Sequence, residues 1–261
     1  MSGLKITFLG TGTSQGVPLI NCDCPVCVSG DPRNKRLRTS VTIASDQTTV
    51  LIDTTPDMRQ QLLRDPVPQI DAVLFTHAHA DHIYGIDDLR RFNILQRRRL
   101  PVYGSTATLE RLKRLFDYAF GEGALNPGVP NLEAHEINGA FRVNELRFEP
   151  IPLLHGRQPV LGFRAGDFAY CTDVSHIPGA TYPLLEGLKV LVLDALREER
   201  HPTHFSLEEA IREAERIGAR QTYFIHMSHE IDHEKHSRLL PDNMAFAYDG
   251  LSLEISLEQG R

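Results

Sequence analysis

The string His77-Ala78-His79-Ala80-Asp81-His82 constrains this chain more than any other part of it. It follows directly on Ala72-Val73-Leu74-Phe75, a continuous apolar run of strand length. Four potential metal ligands therefore fall within six residues at the end of a buried strand. Ligands at alternate positions of a strand end, with the rest at the start of a helix, converge on one point. That geometry has room for two divalent ions. Imidazole suits zinc, iron and similar metals, and a carboxylate widens the range toward manganese.

Around this string, strands and helices alternate. Leu4-Lys5-Ile6-Thr7-Phe8-Leu9 reads as a strand that stops at Gly10-Thr11-Gly12. Residues 40–44 and 49–52 read as two strands turned at Asp46-Gln47. Residues 141–154 and 162–171 read as hairpins, turned near Asn144-Glu145 and at Gly166-Asp167. Val102-Tyr103 and residues 190–193, 222–225 and 251–255 supply further strands. Helices are expected from Pro56 through residue 63, around 83–93 and over 106–120. The clearest helix covers 207–217: Ser206 and Glu209 have capping-box spacing, Leu207, Ala210, Ile211, Ala214 and Ile217 form one apolar stripe, and Gly218 stops it. Residues 121–130, rich in Gly and Pro, read as a loop that could serve as a lid or a subunit contact. Hairpins interleaved with helices predict two sheets with helices outside them, an αβ sandwich. With no repeat and no linker in evidence, a single domain over 1–261 is the economical expectation.

A second cluster lies near the start. Cys22-Asp23-Cys24-Pro25-Val26-Cys27 is C-x-C-x₂-C, inside a loop at about residues 16–38. This spacing is too tight for a disulfide framework and suits a metal knot in a reducing compartment. Three thiolates so close chelate one soft ion, and a fourth ligand completes a tetrahedral structural site. Cys171 sits in a strand-like segment and reads as a small buried apolar residue.

The H-x-H-x-D-H string is the signature of the metallo-β-lactamase fold superfamily, and the chain resembles that family over essentially its whole length. The resemblance implies an αββα sandwich, with two central mixed sheets flanked by helices. It also implies further ligands, and these stand in order after apolar runs: His155, Asp173 and His226. Carried over, His77, His79 and His155 hold one divalent metal, Asp81, His82 and His226 hold another, and Asp173 bridges them. Two ions sharing a water lower its pKa to near neutral, so hydroxide becomes available, and Asp81 is placed to orient it. Zinc and manganese both suit such a pair. The segment Gly10-Thr11-Gly12-Thr13-Ser14-Gln15-Gly16-Val17-Pro18, followed by the cysteines, is similar to the cyclic phosphodiesterases of the bacterial carbon–phosphorus lyase pathway. In that group a histidine three residues after the last catalytic ligand completes a structural zinc site, which here implies His229 with Cys22, Cys24 and Cys27. By position His204 resembles the family's candidate general acid, since a phosphodiester leaves an alkoxide that a histidine protonates near neutral pH.

The bulk properties narrow the partners. A net charge of −6 is a poor footprint for a nucleic-acid binder, so no stable nucleic-acid partner is expected. No stretch approaches the length needed to cross a bilayer, and residues 1–10 lack the regions of a signal peptide, so a cytoplasmic protein with no membrane partner is expected. The arginine-dense stretch from Arg90 to Arg99 reads first as a solvated helix face. The expectation is a binuclear hydrolase of a small phosphorylated, possibly cyclic, sugar or nucleotide ester. A thioester or lactone hydrolase, an RNA-processing nuclease and a non-catalytic protein like the relative in pyrroloquinoline quinone biosynthesis are the alternatives. Dimers are common among the enzymes it resembles, which allows a homodimer.

Overall fold

Strand segments with alternating or continuous apolar character set the architecture, and the computed structural model describes residues 3–121 and 125–256. In chain order these are β1 (Gly3–Gly10), β2 (Ser40–Ala44), β3 (Thr49–Ile52), α1 (Met58–Arg64), β4 (Ala72–Leu74), α2 (Ala80–Ile83), α3 (Arg90–Gln96), β5 (Leu100–Gly104), α4 (Thr106–Leu115), β6 (Leu132–Glu136), β7 (Phe141–Val143), β8 (Leu146–His155), β9 (Gln158–Ala165), β10 (Phe168–Cys171), β11 (Val190–Asp194), α5 (Leu207–Ile217), β12 (Gln221–Ile225), α6 (His233–Ser237), β13 (Met244–Phe246) and β14 (Ser252–Ser256). They form two seven-stranded sheets, ordered β14-β1-β2-β3-β4-β5-β6 and β13-β12-β11-β10-β9-β8-β7. Both are mixed. In the first, β3 to β6 pair in parallel and the rest are antiparallel. The second repeats the scheme, with β10 to β13 parallel and β7 to β10 antiparallel.

Side-chain alternation sorts the apolar residues into layers. Ile6, Phe8, Ile43 and Ile52 from the first sheet meet Phe148, Phe163, Tyr170 and Ile225 from the second to form the central core. Leu51 and Val73 point the other way, and pack with Phe92, Leu109 and Leu112 of the helices outside the first sheet. Leu191 and Leu193 pack likewise with Ala210 and Ala214 of α5. This is the expected sandwich with helices on its outer faces. The capping box of α5 forms as its sequence predicts, with Ser206 accepting from Glu209 N and the Glu209 carboxylate accepting from Ser206 N, and Gly218 closes the helix at φ 71°.

Three expected helices differ in extent. α1 begins at Met58 rather than Pro56, because Pro56 and Asp57 form a turn and the Asp57 carboxylate pairs with Arg38 at 3.0 Å instead of capping the helix. The helix expected around 83–93 is broken into α2, a 3-10 turn over Ile86–Leu89, and α3. The break follows from two bonds that tie this segment to the end of β3: Thr54 N donates to His82 O, and Gly85 N to Thr54 O. At Gly85 the backbones are so close that a Cβ would stand 2.0 Å from Thr55 O. The helix expected over 106–120 ends at Leu115, followed by a 3-10 turn over Asp117–Phe120. Of the loop expected at 121–130, residues 122–124 lie outside the described residues. Among the described residues no helix is long and apolar enough to cross a membrane.

Candidate metal centre

Parallel strands end on one rim of the sandwich, and there they deliver charged side chains. Asp53 follows β3, Asp194 ends β11, His226 follows β12, and Asp173 lies just beyond β10. His77 and His79 lie between β4 and α2, Asp81 and His82 within α2, and His155 ends β8. Asp53, Asp173 and His226 adopt left-handed backbone, at φ 61°, 51° and 61°. Each such residue costs about 1–3 kcal/mol, which the surrounding contacts offset.

The rim gathers the expected residues into two sets that share Asp173. One donor atom from each of His77, His79, His155 and Asp173 lies within 4.8 Å of the others, and the same holds for Asp81, His82, Asp173 and His226. His82 Nε2 stands 3.1 Å from Asp81 and 3.2 Å from Asp173. Asp173 also lies 3.5 Å from His226 Nε2 and 3.9 Å from His77 Nε2. Yet Nε2 of His77, His82 and His226 is buried without an aligned hydrogen-bond partner. Buried polar atoms are normally satisfied. Three orphaned imidazole nitrogens around carboxylates fit divalent cations, so these residues suit the metals the fold implies.

The opposite ring nitrogens explain why Nε2 of His77 and His82 points inward, whereas Nδ1 of His226 has no such partner and lies 3.8 Å from Asp194 Oδ1. His82 Nδ1 donates to Asp53 Oδ2 at 2.7 Å. Thr76 Oγ1 donates to the same oxygen at 2.8 Å and accepts from His77 Nδ1 at 3.0 Å. His155 Nδ1 donates to Thr203 O at 2.7 Å. One buried carboxylate thus orients two candidate ligands, one of them through Thr76. We expect Asp53→Asn to weaken metal binding about 10–100-fold. Chelator competition on the purified variant measures this, and an unchanged affinity removes the role.

Electrostatics point the same way. Burial opposes charge on His226, but Asp173, Asp81 and Asp194 outweigh it and lift its pKa to about 9. Burial likewise opposes ionisation of Asp81, yet His82 and His226 hold its carboxyl well below the usual range. His77 is instead pushed down, by burial and by His82 beside it. A field that holds protons on His82 and His226 also favours a cation in their place.

His204 lies next to this cluster. Its Nδ1 donates to Asp194 Oδ2 at 2.6 Å, and its ring stands 4.6 Å from His226 and 4.5 Å from His155. Asp194 is fully buried and also accepts from Val174 N at 2.9 Å. Nearby, His201 bonds to Thr203 and His176 is exposed. Arg90 pairs with Asp87 on an exposed face, whereas Arg98 is tied at 2.6 Å to the buried Asp71. Cys171 packs in the core outside the second sheet, and burial pushes its thiol up to about 12.

The cysteine loop closes on the other end of the chain. His229 Nδ1 lies 3.4 Å from both Cys22 Sγ and Cys24 Sγ, and Cys27 completes a four-residue group of close donors. The backbone N–H of Cys27 points at Cys24 Sγ and lowers that thiol to about 6, whereas burial raises Cys27 to about 11. All cysteines are free. Sequence reasoning missed the brace behind this loop. Arg36 is buried, donating from Nη1 to Ser228 O at 2.9 Å and from Nη2 to Ile231 O at 2.7 Å. It therefore grips the short segment that carries both His226 and His229.

Comparison with known proteins agrees with this architecture. Residues 48–227 match the Beta-lactamase superfamily domain. The chain is 38% identical over 253 residues to an octanoyltransferase of Porphyromonas gingivalis, covering 95% of this chain and 51% of that protein. It is 30% identical over 165 residues to coenzyme PQQ synthesis protein B of Methylobacterium radiotolerans, covering 57% of this chain and 49% of that one. The chain thus spans about half the length of the curated relatives it matches. Among solved structures, a diphosphatase from the PhnP family is 44% identical with a TM-score of 0.92, covering 98% of this chain and 99% of that one. Zinc-bound PqqB from Methylobacterium extorquens is 20% identical with a TM-score of 0.77, covering 95% and 99%, a likeness that shows the fold alone. The chain belongs to the β-lactamase superfamily and has the metallo-β-lactamase fold.

Proposed function

We propose that the protein is a binuclear metal-dependent hydrolase acting on a small phosphodiester. The observation that carries this reading is the trio of orphaned nitrogens, on His77, His82 and His226, around the shared carboxylate Asp173. Superfamily membership and the likeness to a diphosphatase support a hydrolase of phosphate esters or anhydrides. His77, His79, His155 and Asp173 would hold one ion, and Asp81, His82, His226 and Asp173 the other. Zinc and manganese both suit these donors. When bound, such a pair supplies a water of near-neutral pKa and offsets charge on phosphoryl oxygens.

The chain's own groups do the rest. Asp81, held ionised, accepts a hydrogen bond from the attacking water and orients it. His204 uses Nδ1 to bind Asp194, so its Nε2 is the atom that holds a proton for the leaving oxygen. The carboxylate behind it stabilises the charged ring, as in acid–base pairs elsewhere. This pair favours an ester with a poor leaving group. A diphosphate releases phosphate, which departs without a proton donor, and a thioester likewise needs less help.

The first test is metal content and bis(p-nitrophenyl) phosphate turnover on one sample, stripped and then reloaded with zinc or manganese. We expect about three ions per chain, two at the paired sites and one zinc at Cys22, Cys24, Cys27 and His229, with turnover lost on stripping and restored on reloading. Full loading without turnover moves the function to thioesters, lactones or binding. One ion or none after reloading refutes the binuclear reading.

A further inference from the structure

Two cavities approach the candidate centre, one at a member of it and one at the histidine beside it. One, of about 720 Å³, has His79 in its wall. The other, of about 260 Å³, has His204 in its wall. They share no lining residue, and the His155 ring lies between the two histidines, 5.1 Å from His79 and 4.5 Å from His204. Their walls differ in kind. Pro152, Pro159, Val160 and Leu161 give the larger one an apolar side, no carboxylate among the described residues lines it, and Arg111 adds a positive charge. The smaller one is the more polar of the two, with Thr13, Ser14, Gln15 and His201 beside Leu19 and Leu196, and Arg197 and Glu230 paired at 3.5 Å in its wall.

Proton delivery gives these two spaces a direction. A general acid must reach the oxygen it protonates within hydrogen-bond distance. His204 opens on the small polar cavity, so the departing alcohol belongs there. Resting on the phosphodiesterase reading, we propose that the substrate is an asymmetric diester bound in one orientation. Its leaving alcohol, small and hydroxylated, occupies the cavity at His204. Its retained ester group, a larger and mainly apolar body, occupies the cavity at His79, whose volume lies within the roughly 300–1,000 Å³ usual for small-molecule sites. A water oxygen bonds to phosphorus. The bond from phosphorus to the leaving oxygen breaks and its electron pair stays on that oxygen. His204 Nε2 supplies the proton, and the proton shed by the water goes to solvent. The products are a small polar alcohol and a phosphomonoester of the apolar one.

The mixed phosphodiester of benzyl alcohol and glycerol tests this, because the two alcohols have similar acidity and chemistry alone does not choose between them. With metal-loaded protein, phosphorus NMR should show benzyl phosphate over glycerol phosphate by at least about 10:1, a discrimination one apolar pocket supplies. Glycerol phosphate as the main product, or an even mixture, overturns the orientation. Turnover of bis(p-nitrophenyl) phosphate without turnover of the mixed diester also overturns it, while leaving the phosphodiesterase reading intact. Failure on both substrates sinks that reading as well. Binding gives a separate readout. Ala107 is exposed in the first turn of α4 and lines the larger cavity. Ala107→Trp should fill it and weaken calorimetric binding of benzyl phosphate about tenfold at an unchanged melting temperature. Equal binding by the two proteins contradicts the proposal.

Discussion

His204→Ala is expected to lower turnover of an alkyl phosphodiester by about 10²–10⁴-fold, the usual share of a general acid. That is about 2.7–5.4 kcal/mol of barrier at about 1.36 kcal/mol per decade. The leaving alkoxide is a strong base, and without the imidazole it must depart unprotonated or wait for water. The variant should keep its metals, since neither of the two sets that share Asp173 includes His204; its Nδ1 is committed to Asp194, with which it and His226 form a separate group of close donors. The effect should shrink sharply on bis(p-nitrophenyl) phosphate, whose p-nitrophenolate leaves without a proton. Asp194→Asn should act in the same direction, because an amide cannot stabilise the charged ring as the carboxylate does. Measuring kcat on both ester types, with metal content in parallel, decides the matter. Equal losses on the two esters would mean that His204 serves structure or metal binding instead.

The second large effect concerns stability. Cys24→Ala removes one of four close donors and should release the zinc proposed to bind them. Structural zinc contributes folding energy directly. Zinc at about 1,000 times its Kd adds about 4 kcal/mol. For a chain of this size each kcal/mol moves Tm by about 2–4 °C, so a fall of about 8–16 °C is expected. A strong chelator should lower the melting temperature of the wild type and leave that of Cys24→Ala nearly where it is. His229→Ala should behave alike. An unchanged Tm in both variants would count against a structural zinc. The variants should also bind less metal at the set containing His226, since Arg36 and the carbonyls of Ser228 and Ile231 tie that residue to the knot.

Much of the centre is legible in sequence because each clustered ligand outside the central string follows an apolar run. Phe224-Ile225 announces His226, and Leu153-Leu154 announces His155. The same signal was present for Asp53 after β3 and for Asp194 at the end of β11, yet neither belongs to the spacing pattern of the ligands. Their roles appear only when the rim assembles, since Asp53 meets His82 across 29 positions of sequence. Arg36 shows another kind of limit. It sits in a basic run from Arg33 to Arg38, and only packing reveals which cation is buried. The elements read least well were short and polar. β6, Leu132–Glu136, has only Leu132 and Ala134 as an apolar alternation, and α6, His233–Ser237, has no apolar residue at all. The broken helix after His82 depended on Thr54 and Thr55, whose backbone contacts no helical periodicity encodes.

The knot is closed by Cys24 and His229, which stand 205 positions apart. On a ribosome adding about 5–20 residues per second, the last cysteine precedes that imidazole by about 10–40 s. Through that interval the thiols of Cys22, Cys24 and Cys27 have no closing partner. They are open to oxidation and to whatever soft cation is at hand. Recovery of intact protein from a cell should therefore follow zinc supply and reducing conditions at the moment of synthesis, as much as the stability of the finished molecule.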